Sequence, residues 1–130
     1  MPEGSFAAQM KGKTGLRRII NALGYSADGI KEAWTEQGFR QLAWLNGVLL
    51  AAAFFLPFET AVRMVLVFAS FFSWIVELFN TGVEAAVDHT SVEKHPLAKR
   101  AKDVCSAAQY LCLLMIALLW CIALWDLFAG

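Results

Sequence analysis

The chain of 130 residues lacks a surplus of charge of either sign, because 11 lysine and arginine residues balance 11 aspartate and glutamate residues. A nucleic-acid-binding surface needs excess basic residues to neutralise phosphates, so we expect no nucleic-acid partner. Charged residues are also scarce, at 17% of the chain against about 25% in soluble globular domains. An ordinary water-soluble domain is therefore a poor match.

Cysteines and short functional motifs exclude further classes. The three cysteines all lie in one late apolar segment, where an odd number makes no disulfide framework. None of them has a histidine at metal-ligand spacing, so no zinc site is indicated. The sequence has neither a glycine-rich P-loop nor a strand-like alternation of useful length. Disulfide-rich, zinc-stabilised and P-loop proteins are thus excluded.

Long apolar runs dominate what is present: 58% of the residues are hydrophobic and the mean hydropathy is +0.53. Residues 104–125 carry no charge and, at about 1.5 Å per helical residue, extend roughly 33 Å, enough for the hydrocarbon core of a bilayer. Residues 42–58 form a shorter uncharged run, and a third run contains Glu77 alone among charged residues. We predict membrane spans over about 42–58, 62–87 and 98–127.

The region before the first span has a different pattern. Leu16, Ile19, Ile20 and Leu23 recur at the spacing of one helix face, with basic residues opposite, which predicts an amphipathic surface helix. We expect a mobile tail over 1–15, surface helices over about 16–40, and a turn at residues 24–29. Lysine and arginine concentrate before the first span and between the second and third, which places both regions in the cytoplasm and the C-terminus outside.

One predicted span carries a column of polar residues. Glu77, Asn80, Glu84 and Asp88 lie at i, i+3, i+7 and i+11, a stripe roughly 80° wide on one helix. Placing a carboxylate at mid-membrane costs about 2.5–3.5 kcal/mol. A functional site is therefore favoured over a hydrogen bond that serves only the packing of neighbouring helices. Such oxygens suit Mg²⁺, and a buried carboxylate suits a general base. These residues fit either phosphorylation of a lipid headgroup or transport of ions or protons.

Two motifs carry a resemblance to a known family. Residues 77–88 are similar to the signature E-x-x-N-[ST]-x-x-E-x-x-x-D of prokaryotic diacylglycerol kinases, and residues 100–108 resemble that family's R-A-K-D-x-x-S-A-A. The resemblance covers roughly residues 14–128 and implies a single domain over 16–128. It implies an all-α membrane protein of the bacterial inner membrane, a homotrimeric bundle with a surface helix and three transmembrane helices per subunit. It further implies transfer of the γ-phosphate of ATP to diacylglycerol, giving phosphatidic acid.

The resemblance also implies roles for individual residues. Glu77 would be the catalytic base, positioned with the help of Asn80, and Glu36 and Glu84 would hold Mg²⁺ or another divalent cation. Asp88 would have a structural role at a helix end. The residues implied for ATP are Tyr25, Glu36, Glu84, Glu93, His95, Lys102 and Asp103. The residues implied for the lipid substrate are Arg18, Trp34, Arg40, Glu77 and Ser106.

Departures from the family pattern and two alternatives belong beside these expectations. Ala27 and Leu42 replace an aromatic residue and a glutamate that the family commonly has. Asn46 is an unusual residue within the first span, and we expect it to bond another helix. The alternatives are an undecaprenol kinase of the same family and a small oligomeric transporter that uses Glu77 as a proton carrier.

Overall fold

The computed structural model describes residues 14–90 and 96–130, and the regular structure in these ranges is entirely helical. The helices are α1 (Thr14–Trp34), α2 (Gln37–Phe55), α3 (Thr60–Thr90) and α4 (Pro96–Ala129). The predicted tail lies outside the described residues except for its last two positions, which begin α1. The all-helical prediction is confirmed.

Helices α2, α3 and α4 are each long and apolar enough to cross a membrane, with 19, 31 and 34 residues and mean hydropathies of 1.2, 1.8 and 2.4. The predicted second and third spans lie within α3 and α4. The predicted end of the first span at residue 58 is wrong, because α2 ends at Phe55. Leu56 is extended, at φ −78° and ψ 147°, since the ring of the following proline disfavours helical backbone at the residue before it.

The N-terminal unit ends at Thr35, and the regular structure among its described residues is the helix α1. The predicted turn at residues 24–29 is wrong, because these residues lie within the continuous helix α1. The predicted extension of the surface helices to residue 40 is also wrong, because residues 37–40 belong to α2. Leu16, Leu23 and Ile30 repeat every seven residues, so the apolar face keeps its phase across both glycines. A glycine costs about 1 kcal/mol in a helix interior, which a 21-residue helix tolerates.

The second unit, Glu36–Gly130, contains the three long helices, with α3 in the centre because it packs against both α2 and α4. Phe58 and Trp120 meet edge-to-face, with ring centroids 5.7 Å apart, a favourable aromatic geometry. The buried apolar cluster of this unit consists of Ala53, Phe58, Leu66, Ala69, Cys112, Ile116, Trp120 and Ala123.

The buried face of α3 changes from apolar to polar along the helix. Leu66 and Ala69 belong to the apolar cluster, whereas Ser70, Ser73 and Glu77 follow on the same face and are also buried. Large apolar side chains elsewhere on the three helices are exposed, as suits a surface in contact with lipid. The fold therefore places polar groups in the interior of the unit, between the three helices.

Candidate active site

A cavity of about 510 Å³ lies among α2, α3 and α4 where the interior is polar. Glu77, Asn80 and Glu84 project into it from one face of α3, as their helical spacing predicts. Glu36 borders it just before α2, and Ser106 borders it from α4. The structure thus brings together five residues that the sequence singled out from separate parts of the chain.

Glu77 is the buried acid of this cavity, with only 7% of its surface exposed. Its Oε2 accepts a hydrogen bond of 3.0 Å from Nε2 of Gln109 on α4. Burying a carboxylate is costly unless it is hydrogen-bonded, and this bond supplies a partner from a neighbouring helix. Glu77 is consequently held in place while it lines a space that a substrate can enter.

Two residues of the site, Ser73 and Gln109, are not predicted by the sequence analysis. Ser73 Oγ donates to Gln109 Oε1 at 3.1 Å, and Gln109 Nε2 donates to the Ser73 carbonyl oxygen at 3.0 Å. The expected bond of Asn46 to another helix is confirmed, because its Nδ2 donates to Ser73 Oγ at 2.9 Å. A clue is present in the polar residues within the apolar spans, among them Ser73 one turn before Glu77 and Gln109 on the third span.

Two exposed ion pairs lie near the junction of α3 and α4. Lys102 Nζ is 2.6 Å from Oδ1 of Asp88, and Lys99 Nζ is 2.6 Å from Oδ2 of Asp103. Exposed ion pairs contribute little to stability, so these residues can exchange partners readily. Asp88 lies in the last turn of α3 and connects it to α4, which agrees with a structural role. Lys102 and Asp103 are accessible to a ligand from water.

The other predicted contact residues occupy three different places. Arg40 lies on α2 and is half-buried. Arg18, Tyr25 and Trp34 lie on α1, which belongs to the N-terminal unit. Glu93 and His95 lie outside the described residues.

The cavity's donor set fits a divalent cation that shares its ligands with a phosphate. Within residues 14–90 and 96–130, no three His, Cys, Asp or Glu side chains are grouped so as to hold a metal unaided. Mg²⁺, however, is usually bound by one or two carboxylates together with substrate phosphates. Glu36 and Glu84 are two such carboxylates, and the buried Asn80 Oδ1 has no hydrogen-bond partner among the described residues. The residues present therefore fit Mg²⁺.

Three apolar helices around a buried, hydrogen-bonded carboxylate and an acidic cavity define a membrane protein with a polar site inside its helical unit. The sequence profile of the family Prokaryotic diacylglycerol kinase matches residues 24–124. The diacylglycerol kinase of Pseudomonas aeruginosa is 47% identical over 111 residues, which cover 85% of this chain and 90% of that protein. The chain belongs to the prokaryotic diacylglycerol kinase family, and it is a membrane lipid kinase.

Two further relatives agree with this assignment. The diacylglycerol kinase of Helicobacter pylori strain 26695 is 43% identical over 107 residues, covering 82% of this chain and 84% of that protein. The diacylglycerol kinase of Escherichia coli K12 is 40% identical over 118 residues, covering 88% and 95%. The resemblance inferred from the two sequence motifs is therefore confirmed.

Proposed function

We propose that this chain transfers the γ-phosphate of ATP to the hydroxyl group of diacylglycerol, forming phosphatidic acid and ADP, and so recycles diacylglycerol for phospholipid synthesis. The observation that carries the proposal is the cavity beside Glu77. It combines a buried carboxylate with two further acids and with an amide oxygen that has no partner within residues 14–90 and 96–130, among helices apolar enough to lie in a membrane. A lipid alcohol and a water-borne triphosphate can meet at such a site.

Glu77 has the position expected of a general base. Its carboxylate accepts the proton of the lipid hydroxyl as that oxygen forms a bond to the γ-phosphorus, while the bond from the γ-phosphorus to the β–γ bridging oxygen breaks and ADP leaves. Phosphoryl transfer relies chiefly on positioning and on stabilisation of charge. Glu77 is suited to this work because Gln109 holds it against the cavity. Asn80, one turn further along α3, orients Glu77 or the transferred phosphate.

The nucleotide side of the site involves both acidic and basic side chains. Glu36, Glu84 and Asn80 would hold Mg²⁺, which when bound supplies positive charge to offset that of the phosphates. Lys102 can move from Asp88 to a phosphate oxygen, because the pair is exposed. Asp103 is similarly accessible, and we assign Tyr25, Glu93 and His95 to nucleotide contacts from the resemblance.

The lipid side follows from the apolar exterior of the helices. Diacylglycerol would reach the cavity from the bilayer, with its acyl chains still among lipid, and its headgroup would meet Ser106 and Arg40 there. The exposed Leu16, Ile19 and Leu23 on α1 suit a helix lying on the membrane surface, with Arg18 and Trp34 contacting the lipid.

The proposal includes an assembly and an orientation. Because Glu77, Glu84 and Asp88 all lie on one helix of each chain, we assign shared sites between subunits of a homotrimer. The excess of lysine and arginine before α2 and between α3 and α4 supports placing those regions in the cytoplasm and the C-terminus outside the bacterial inner membrane.

A substrate assay tests the proposal. Purified protein in mixed micelles receives radiolabelled ATP, Mg²⁺ and either diacylglycerol or undecaprenol. Labelled phosphatidic acid is expected from diacylglycerol, with formation abolished by a chelator. Labelling of undecaprenol alone would overturn the assignment in favour of the other lipid alcohol. Proton movement across vesicles without any ATP turnover would overturn it in favour of transport.

A further inference from the structure

A set of hydrogen bonds links all three long helices to Glu77. We call it the amide network, and it consists of Asn46 on α2, Ser73 and Glu77 on α3, and Gln109 on α4. Asn46 and Ser73 are fully buried, and Glu77 and Gln109 nearly so. The network therefore lies in the interior, and Glu77 and Gln109 are its two members that line the cavity.

The direction of each hydrogen bond in the amide network is fixed by chemistry. Asn46 Nδ2 only donates, and it does so to the Leu42 carbonyl at 3.0 Å and to Ser73 Oγ at 2.9 Å. The single hydroxyl hydrogen of Ser73 is then available for Gln109 Oε1, which accepts it at 3.1 Å. The side-chain oxygen of Gln109 thus accepts a hydrogen bond from Ser73.

The nitrogen side of Gln109 is fixed in the same way. Its Nε2 lies 3.0 Å from the Ser73 carbonyl oxygen and 3.0 Å from Glu77 Oε2, both of which accept. Rotating the amide by 180° would place its oxygen against both acceptors, so only one orientation satisfies the bonds. Gln109 consequently presents an N–H group to Glu77.

The network is not explained by stability alone. Within the described ranges, Asn46 Oδ1 is buried without a hydrogen-bond partner, which is a cost that an apolar residue would avoid. Buried polar sets that are only partly satisfied are less stabilising than a packed apolar core. The neighbouring turns of α4 on this face are apolar, at Cys112 and Ile116. The arrangement is better explained by what it does to Glu77.

We propose that Gln109 is a positioning residue that fixes the orientation of the Glu77 carboxylate for catalysis, and that Ser73 and Asn46 fix the orientation of Gln109. This inference rests on the proposed role of Glu77 as the base. Gln109 lines the cavity, but the proposal assigns the proton transfer to Glu77 and not to Gln109. It acts by limiting the rotamers of Glu77 to the one whose carboxylate is bonded to α4.

Steady-state kinetics of variants tests the role of Gln109. Gln109→Leu, similar in volume but without the amide, should lower kcat about tenfold with the KM values for ATP and diacylglycerol unchanged, because misplacing a catalytic group slows chemistry rather than binding. Ser73→Ala should lower kcat in the same direction, by about threefold, since Gln109 remains. Ser70→Ala is the matched control, equally buried on α3 but outside the network, and it should leave kcat unchanged.

A double substitution separates positioning from packing and from failure of the proposed function. Glu77→Asp keeps a carboxylate but withdraws it from Gln109, so it lowers kcat, and adding Gln109→Leu should lower kcat little further. A full additional tenfold loss would overturn the positioning role, because it would show that Gln109 acts independently of Glu77. Wild-type kcat in both Ser73→Ala and Gln109→Leu, with Glu77→Asp impaired, would overturn this inference alone. Wild-type kcat in Glu77→Asp and Glu77→Gln would instead overturn the proposed function.

Discussion

Glu77 and Glu84 lie on the same face of α3, two turns apart, and differ in their surroundings. Glu77 is buried and accepts a hydrogen bond from Gln109, whereas Glu84 is half-buried and lies nearer the end of the helix. A buried carboxylate with a fixed neighbour suits proton transfer, and a more accessible one suits a hydrated cation. We therefore propose different tasks for these two residues of the same type.

At Glu84 we predict a change in metal dependence. Glu84→Gln removes the charge but keeps the size of the side chain, so the Mg²⁺ concentration needed for half-maximal activity should rise about tenfold or more, by analogy with the loss of other metal-site partners. Titration of the initial rate with Mg²⁺ measures this value. Glu59→Gln is the control, because Glu59 is exposed in the segment between α2 and α3. An unaltered Mg²⁺ titration in Glu84→Gln would remove Glu84 from the metal site.

The alignment of the acids could be predicted from the sequence, while their partners could not. Glu77, Asn80 and Glu84 share a face because helical geometry fixes the angle between them. Ser73 and Gln109 meet because two helices pack in one register, which residue spacing within a single helix does not specify. The sequence predicts that Asn46 forms a hydrogen bond to another helix, but it does not identify Ser73 as the partner.

Arg63 on α3 caps the C-terminal end of α2. Its Nε donates to the Ala53 carbonyl at 3.0 Å and its guanidinium donates to the Leu56 carbonyl at 3.1 Å. The last carbonyl groups of a helix have no partner within the helix, and a cation there also interacts favourably with the helix dipole. Arg63 thereby joins the two elements at the end of the unit away from Glu77.

Substitution of Arg63 should affect stability more than catalysis. Arg63→Met removes the donors, and we expect the free energy of unfolding to fall by about 1–3 kcal/mol, as for other hydrogen bonds to charged groups. Thermal denaturation in mild detergent measures the loss, and kcat measured well below the transition should stay near that of wild type. Arg63→Lys keeps the charge and should lose less. A wild-type transition temperature in Arg63→Met would show that this cap is energetically unimportant.

Element boundaries were partly accessible from the sequence. The end of α2 at Phe55 follows from Pro57, a local rule that residue periodicity alone had overlooked. The glycines of α1 suggest a turn, but its seven-residue apolar repeat indicates the continuous helix that the structure has. In both cases the deciding information lies in neighbouring residues, whereas the packing of α3 between two helices depends on residues far apart in the sequence.

The unit of three long helices has a small interior and a large apolar exterior. In the most hydrophobic stretches of α2 and α4, only 17% of residues are buried within the chain, against 28% for α3. The remaining residues of these stretches form outer faces that suit contact with lipid. Composition and run length were enough to predict three spans, because the bilayer requires them. The number of subunits depends on surface complementarity, which no periodicity encodes.

At the scale of the assembly we predict three chains. Light scattering of the detergent-solubilised protein, corrected for bound detergent, should give three times the chain mass of 14.4 kDa. A fully active monomer would contradict both the assembly and the shared site.

The most direct test of the account is the turnover number of Glu77→Gln. This substitution removes the basic carboxylate while an amide oxygen remains to accept the bond from Gln109, so the helical packing should persist. We predict that kcat for phosphatidic acid formation falls by about 100- to 10,000-fold, the usual contribution of a general base, with the KM for ATP and the thermal transition nearly unchanged. A kcat equal to that of wild type, in protein with the same thermal transition, would contradict the central claim that Glu77 is the base.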